Sequence, residues 1–242
     1  MQFFAAQRHL GKRLGEYTVE AIIGEGRYGL CFLAKTDYGA NVIIKKFKPS
    51  LFAKNTEKNA FEAVILSTLK DERIPELLGV INQRGLYGFV LEWKPGITVK
   101  DMIFKHGYEL SSEEFYHIGL KLINIIEYLH ENGIVHRDIR IPNVLIDRDK
   151  IYLIDFGLAR FADNNQYKYD LDYSYLGDFL LYFLYSSFKK NGNKKNLPWH
   201  EELSLNDKQR MLLKKLFGLE AIYKSIKDIK VDFIESFGNK MQ

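Results

Sequence analysis

The chain carries a single cysteine, Cys31, in 242 residues. An internal disulfide and a cysteine-built metal cluster are both excluded. No long hydrophobic run is present either. The longest apolar stretch, "FLLYFLYSSF" at 179–188, falls short of the roughly 18 to 20 residues that a spanning helix needs. The early apolar run Phe3–Ala6 is too short for the hydrophobic region of a signal peptide. Charge of one sign is scarce as well: 35 Lys and Arg against 31 Asp and Glu leave a formal net charge of +4. An excess that small makes no case for a nucleic-acid or membrane partner. The densest basic run, Lys189, Lys190, Lys194 and Lys195, lies among Asn and Gly and reads as a solvated loop. Internal repeats and low-complexity segments are missing. These absences point to a soluble protein in a reducing, cytoplasmic setting.

What is present is ordinary globular material, 46% hydrophobic and 27% charged, in a chain long enough for one large domain or two small lobes. The first half reads as strands with one helix. The apolar runs "EYTVEAIIGEG", "GLCFLAK", "NVIIKKF", "LLGVIN" and "LYGFVLEW" are short and broken by turn residues. Between the third and fourth, Asn55 or Thr56 can cap a helix in which Phe61, Ile65 and Leu69 recur every four residues. Pro95–Gly96 marks a break. The second half reads as mostly helical. Ser111-x-x-Glu114 is a capping box before apolar residues at 115, 118, 122, 125, 126 and 129, and Gly133 stands where a helix stop belongs. Segment 172–188 is apolar nearly all round, which predicts a helix buried on every side. Ser204-x-x-Asp207 and Ser225-x-x-Asp228 can open two closing helices. Strands first and helices second predict an α+β pair of lobes with a cleft between them.

Four pieces carry chemistry. "GEGRYG" supplies Gly24, Gly26 and Gly29, and it leads into a strand rather than a helix. That arrangement is either an ordinary hairpin or a clip whose backbone N–H groups approach phosphate oxygens unobstructed. "VIIK" ends in Lys45, a solvated strand end unless a carboxylate meets it. Glu62 on the following helix is a candidate, although Glu57 shares that helix. "HRDIRIPN" sets Asp138 five residues before Asn143. Taken alone it is a polar loop between a helix and a strand; taken with its neighbours, Asp138 orients a hydroxyl and Asn143 offers an amide oxygen to a divalent cation. Twelve residues further, "IDFG" adds the hard carboxylate of Asp155. Phosphoryl transfer asks for one base, one phosphate-holding cation and two metal ligands, because positioning and charge neutralisation do nearly all of the work.

With "GEGRYGLC", "VIIK", "EAVIL", "VLEW", "HRDIRIPN" and "DFG" in this order and spacing, the chain resembles a protein kinase over roughly residues 16–240. Its nearest likeness is to compact bacterial serine/threonine kinase-like proteins. The resemblance implies a bilobal α+β fold: an extension over 1–15, an antiparallel-sheet lobe with one helix over 16–94, and a mostly helical, trimmed lobe over 95–242. It implies ATP and Mg²⁺ as cofactors and a protein hydroxyl, of serine or threonine, as acceptor. Asp138 is then the base, Lys45 the phosphate contact held by Glu62, and Asn143 and Asp155 the Mg²⁺ ligands. Arg140 stands where a lysine usually touches the transferred phosphate; it keeps the charge on a flatter, bidentate donor. The adenine slot is lined by Ile23, Cys31, Ile43, Leu91 and Leu145, with hinge hydrogen bonds from Glu92 and Lys94.

The chain departs from the family in several places. Ile43 replaces a small residue and narrows that slot, and Cys31 replaces a valine. Only 158–171 separate Gly157 from Asp172, no Ala-Pro-Glu follows, and Tyr223 lies near the place of the arginine that would pair with that Glu. The usual peptide-docking platform is thus missing. Arg137 lacks a Ser or Thr to pair with once phosphorylated, leaving Tyr167, Tyr169, Asp163 and Asp170 as substitutes. Two other functions stay open: a pseudokinase that binds nucleotide and works through partners, and a small-molecule kinase. The latter usually has glycine where Arg137 sits and a large substrate-binding insertion.

Overall fold

The computed structural model describes residues 9–25, 29–48, 56–83, 86–163, 165–188 and 197–238. Gly26, Asn55 and the lysine-rich loop 189–196 lie outside the described residues. The chain forms two compact units, Met1–Pro95 and Gly96–Gln242.

Among its described residues the first unit is built on six antiparallel strands: β1 (Arg13–Leu14), β2 (Tyr17–Glu25), β3 (Gly29–Lys35), β4 (Asn41–Phe47), β5 (Leu77–Gln83) and β6 (Leu86–Glu92). Their order in the sheet is β1-β2-β3-β4-β6-β5. Strand alternation sorts the side chains by face. Val42 and Ile44 of β4 go into a core with Val19, Phe32, Ala34 and Val90. Ile43 and Lys45 therefore take the opposite face, where Cys31 pairs across from Lys45, and Leu33 and Leu91 flank Ile43.

Among the described residues of this unit there is one helix, α1 (Thr56–Thr68). Its buried face includes Glu62, Ile65 and Leu66, with Leu69 just beyond the helix end, whereas Phe61 is exposed. This corrects the stripe 61–65–69 expected from the sequence. The buried set has the i, i+3, i+4, i+7 spacing of a helix face, and an acid occupies the place that Phe61 was expected to fill.

The second unit starts with β7 (Ile97–Thr98) and α2 (Val99–Phe104), followed by the long helix α3 (Ser112–Glu131). Ser111 and Glu114 form the expected reciprocal cap, and Gly133 takes the left-handed φ of +70° just past the helix end. Then come β8 (Ile134–Val135), a 3₁₀ turn over Ile141–Asn143, β9 (Val144–Asp147), β10 (Lys150–Leu153), β11 (Arg160–Phe161), α4 (Asp170–Ser186), α5 (Trp199–Glu202), α6 (Asp207–Leu216) and α7 (Ile226–Phe237). These strands pair as β10-β9-β7 and β11-β8. Strands of two to four residues leave little periodicity to read, which is why the sequence shows this half as helical.

Helix α4 buries Tyr173, Leu176, Phe179, Leu180 and Phe183, but Tyr182 is 50% exposed. The expectation of burial on every side therefore holds for one face only: Tyr182 opens on a cavity of about 400 Å³ shared with Ile103, Phe104, Asp178 and Tyr185. Helix α6 differs as well. Its cap is Asn206 with Gln209, not Ser204 with Asp207. Gln209 settles the choice, because its amide nitrogen also donates to the Ser236 carbonyl at 3.1 Å and so ties the first turn of α6 to α7. Ser225 caps α7 as expected. No helix among the described residues is long and apolar enough to cross a membrane.

Candidate functional site

In the first unit Gly24, Cys31, Ile43, Lys45 and Leu91 lie on the sheet face opposite the core. Lys45 Nζ donates to both carboxylate oxygens of Glu62 at 2.8 Å. The Glu62 side chain is 2% exposed and that of Lys45 15%. A pair this buried is retained only where each charge is satisfied by the other. Gly24, Cys31, Lys45 and Phe89 are successive cross-strand partners over β2, β3, β4 and β6. Ile23 sits at a β-bulge between Ile22 and Gly24 and is 54% exposed.

Two of the loop glycines have different reasons for being glycine. A Cβ on Gly29 would lie 1.9 Å from the Lys46 carbonyl oxygen, so strand packing alone demands glycine there. A Cβ on Gly24 would meet only Cys31 Cβ, at 3.9 Å; nothing among the described residues requires glycine at that place. The Glu92 N–H donates to the Glu76 carbonyl at 2.9 Å, so a hinge contact from Glu92 must use its carbonyl oxygen. The Lys94 side chain is buried, with its ammonium on the Glu72 carbonyl at 2.8 Å and on Glu92 at 2.7 Å.

In the second unit the segment between β8 and the 3₁₀ turn is held from two directions. Asp138 Oδ2 accepts from Asn143 Nδ2 at 2.7 Å and from Arg140 Nη2 at 3.0 Å, while Oδ1 meets Arg140 Nε at 2.6 Å. Asp138 raises the pKa of the Arg140 guanidinium, first through the hydrogen bond. Asn143 Nδ2 donates also to the Asp138 carbonyl at 2.9 Å, so the hard donor that Asn143 can offer a ligand is its amide oxygen. The Asn143 carbonyl accepts from the Ile154 N–H at 2.9 Å, which sets Asp155 one residue beyond a direct link to Asn143. Asp155 Oδ1 accepts from the Gly157 N–H at 3.3 Å.

Arg137 and Asp155 both have left-handed backbone, at φ 67° and 64°, a conformation that costs side-chain-bearing residues roughly 1–3 kcal/mol and that gathers at functional sites. His136 is fully buried, edge-on to Phe156 at 4.7 Å. Burial pushes its imidazole below the ordinary value, against the pull of Asp172, Asp155 and Asp138. A neutral His136 is a packing and hydrogen-bonding group: its Nδ1 takes the Asp138 N–H at 3.3 Å.

The sequence located Asp172 only as the start of a helix. It is the anchor of this segment. Its carboxylate accepts the backbone N–H of His136 at 2.9 Å and of Arg137 at 2.7 Å, and it meets His130 Nε2 at 3.0 Å. The signal available was chemical: a carboxylate in the first turn of an apolar helix needs donors from elsewhere in the fold. Tyr223, near the place of the missing arginine, is buried with its hydroxyl donating to Asp232 at 2.7 Å and Lys215 over its ring at 4.9 Å.

Oxygen donors alone, one carboxylate and one amide, suit Mg²⁺, which keeps several waters and binds through few protein groups. Among the described residues no group of three or more His, Cys, Asp and Glu could hold a metal by itself. The donor set of Asn143 and Asp155, an amide oxygen and a carboxylate, fits a cation that brings phosphate and water ligands of its own.

The model of the protein kinase domain matches residues 17–178. The probable serine/threonine-protein kinase YbdM of Bacillus subtilis is 33% identical over 231 residues, covering 90% of this chain and 88% of that protein. A probable serine/threonine-protein kinase KIN1 homolog of Enterocytozoon bieneusi is 33% identical over 155 residues. That match covers 63% of this chain but only 26% of the relative's length. Among solved structures, a point mutant of the kinase domain of Mycobacterium tuberculosis PknI superposes with a TM-score of 0.73 at 17% identity, over 93% of this chain and 97% of that one.

Proposed function

We propose that this chain, which belongs to the protein kinase family, transfers the γ-phosphate of ATP to a serine or threonine hydroxyl of a protein, with Mg²⁺. The observation that carries the reading is the buried Lys45–Glu62 pair, whose cost is justified by holding an ammonium toward phosphate oxygens on a face left clear at Gly24. Cys31, Ile43, Leu91 and Ile23 line the adenine side in this reading, with Glu92 and Lys94 at the end of the same sheet. Asn143 and Asp155 hold Mg²⁺, which neutralises phosphate charge. Asp138 accepts the hydrogen bond of the acceptor hydroxyl and orients it. Arg140, already paired with Asp138, keeps that carboxylate in place and sets a cation next to the transferred group.

Incubation with labelled ATP and Mg²⁺ tests this. Asp138→Asn and Lys45→Met are expected to lower label transfer by about 10²–10⁴-fold. Equal label on the wild type and both variants overturns it. One observation favours a second reading, a nucleotide-binding interaction module: only 158–171 separate Gly157 from Asp172, too few for the family's usual peptide platform. A thermal shift with ATP and no transfer to any acceptor is the outcome that module predicts.

A further inference from the structure

Arg137 places a cation one residue before Asp138, and three contacts hold it. Its N–H donates to Asp172 Oδ1 at 2.7 Å, its guanidinium donates to the Leu158 carbonyl at 3.0 Å, and its guanidinium carbon lies 4.7 Å from the centroid of the Tyr167 ring. Among the described residues no carboxylate forms an ion pair with this side chain. The segment 158–171 contains neither serine nor threonine.

Tyr167 is itself fixed. Its N–H donates to Asp163 Oδ1 at 2.8 Å, the same oxygen takes the Asn165 N–H at 2.9 Å, and the Asp163 N–H returns to the Tyr167 carbonyl at 3.2 Å. These backbone donors, Tyr167 first, hold the Asp163 carboxyl below its usual range. The nearby acid is thus committed to closing the turn, and the face of the ring meets the guanidinium. Through Arg137 that contact reaches the Leu158 carbonyl, three residues past Asp155.

We propose that the ring of Tyr167 is the positioning group for Arg137. It does the work for which a phosphorylated side chain would otherwise be needed, so that Asp138 and the Asp155 turn are held without covalent modification of 158–171. A cation over an aromatic face keeps its attraction best when both are partly withdrawn from water, as Arg137 and Tyr167 are here. The inference rests on the kinase reading for its catalytic consequence; the pairing itself does not.

The test compares Tyr167→Leu and Tyr167→Phe with the wild type, each checked by intact mass for phosphate. Losing the ring is expected to lower kcat about tenfold with the KM for ATP nearly unchanged. It should also speed hydrogen exchange over 155–163. Tyr167→Phe, which keeps the ring and loses the hydroxyl, should rescue both. Two results overturn the proposal: Tyr167→Leu matching the wild type in kcat and exchange, or Tyr167→Phe falling as far as Tyr167→Leu with phosphate found on the wild-type tyrosine. If the wild type transfers no phosphate the kinase reading fails, and exchange alone then decides the pairing: protection lost in the Leu variant and kept in the Phe variant sustains it, and equal protection in all three overturns it.

Discussion

Asp172 shows how much one carboxylate can organise. It is fully buried, and its two oxygens satisfy two backbone N–H groups and a histidine nitrogen. Those two N–H groups belong to His136 and to Arg137, whose left-handed backbone it offsets. Asp172→Asn keeps one acceptor but turns an NH₂ group toward donors. We expect a loss of about 3 kcal/mol in urea unfolding, in the range for breaking a buried charged hydrogen-bond set. Glu62→Ala is expected to cost about 3 kcal/mol, since it removes a buried carboxylate that holds the half-buried Lys45 ammonium through two hydrogen bonds. That variant should also raise the KM for ATP, which a purely structural acid would not do. The residues alone left Glu57 beside Glu62 on the same helix, the family resemblance picked Glu62, and the contact with Lys45 agrees with that choice.

At the scale of elements, helix α7 packs on α3 and α6 through specific shapes. A Cβ on Gly119 of α3 would lie 2.5 Å from Phe233 Cζ, and Phe233 stacks with Tyr116 at 5.8 Å and with Phe115 at 6.1 Å. Gly119→Ala should therefore destabilise by about 1–3 kcal/mol, as overpacking does, although alanine is the better helix former. Gln209→Ala should cost about 1–2 kcal/mol, because it removes both its half of the reciprocal cap of α6 and the bond to Ser236. Circular dichroism across a urea series checks each. The caps at Ser111 and Ser225 could be read from the sequence because a cap is a local pattern of four residues. The cap at Asn206 could not, since Ser204 offered the same spacing and the decisive partner, Ser236, is 27 residues from Gln209.

The whole molecule has a preferred direction in pH. Asp232 is held below the ordinary carboxylate value. Burial alone would raise it, but hydrogen bonds from Tyr223 and Lys215 outweigh burial. Arg73 lowers Asp71 against burial in the same way, and Tyr108 and Ser111 lower Glu114. A carboxyl whose folded value is depressed lends stability that is present above the unfolded value, 3.8 for Asp232, and is lost as pH falls through the folded one. Asp178, raised by burial, runs the other way. The expected outcome is a melting temperature that drops steeply below about pH 4, with Asp232→Asn flattening part of the drop. A slope unchanged by Asp232→Asn would show that the Tyr223–Asp232 contact adds nothing at acid pH.

The sequence by itself determined five of the six strands described in the first unit, missing the two-residue β1 (Arg13–Leu14), and the three-residue spacings of two caps, because those patterns are local. Tertiary structure decided that Glu62 is the acid that meets Lys45, that Gly29 is demanded by the Lys46 carbonyl, that Asp172 anchors His136 and Arg137, and that Tyr167 covers the guanidinium. Each of those outcomes turns on contacts between residues far apart in the chain, and neither spacing nor composition reports where a folded backbone will bring a donor to its acceptor.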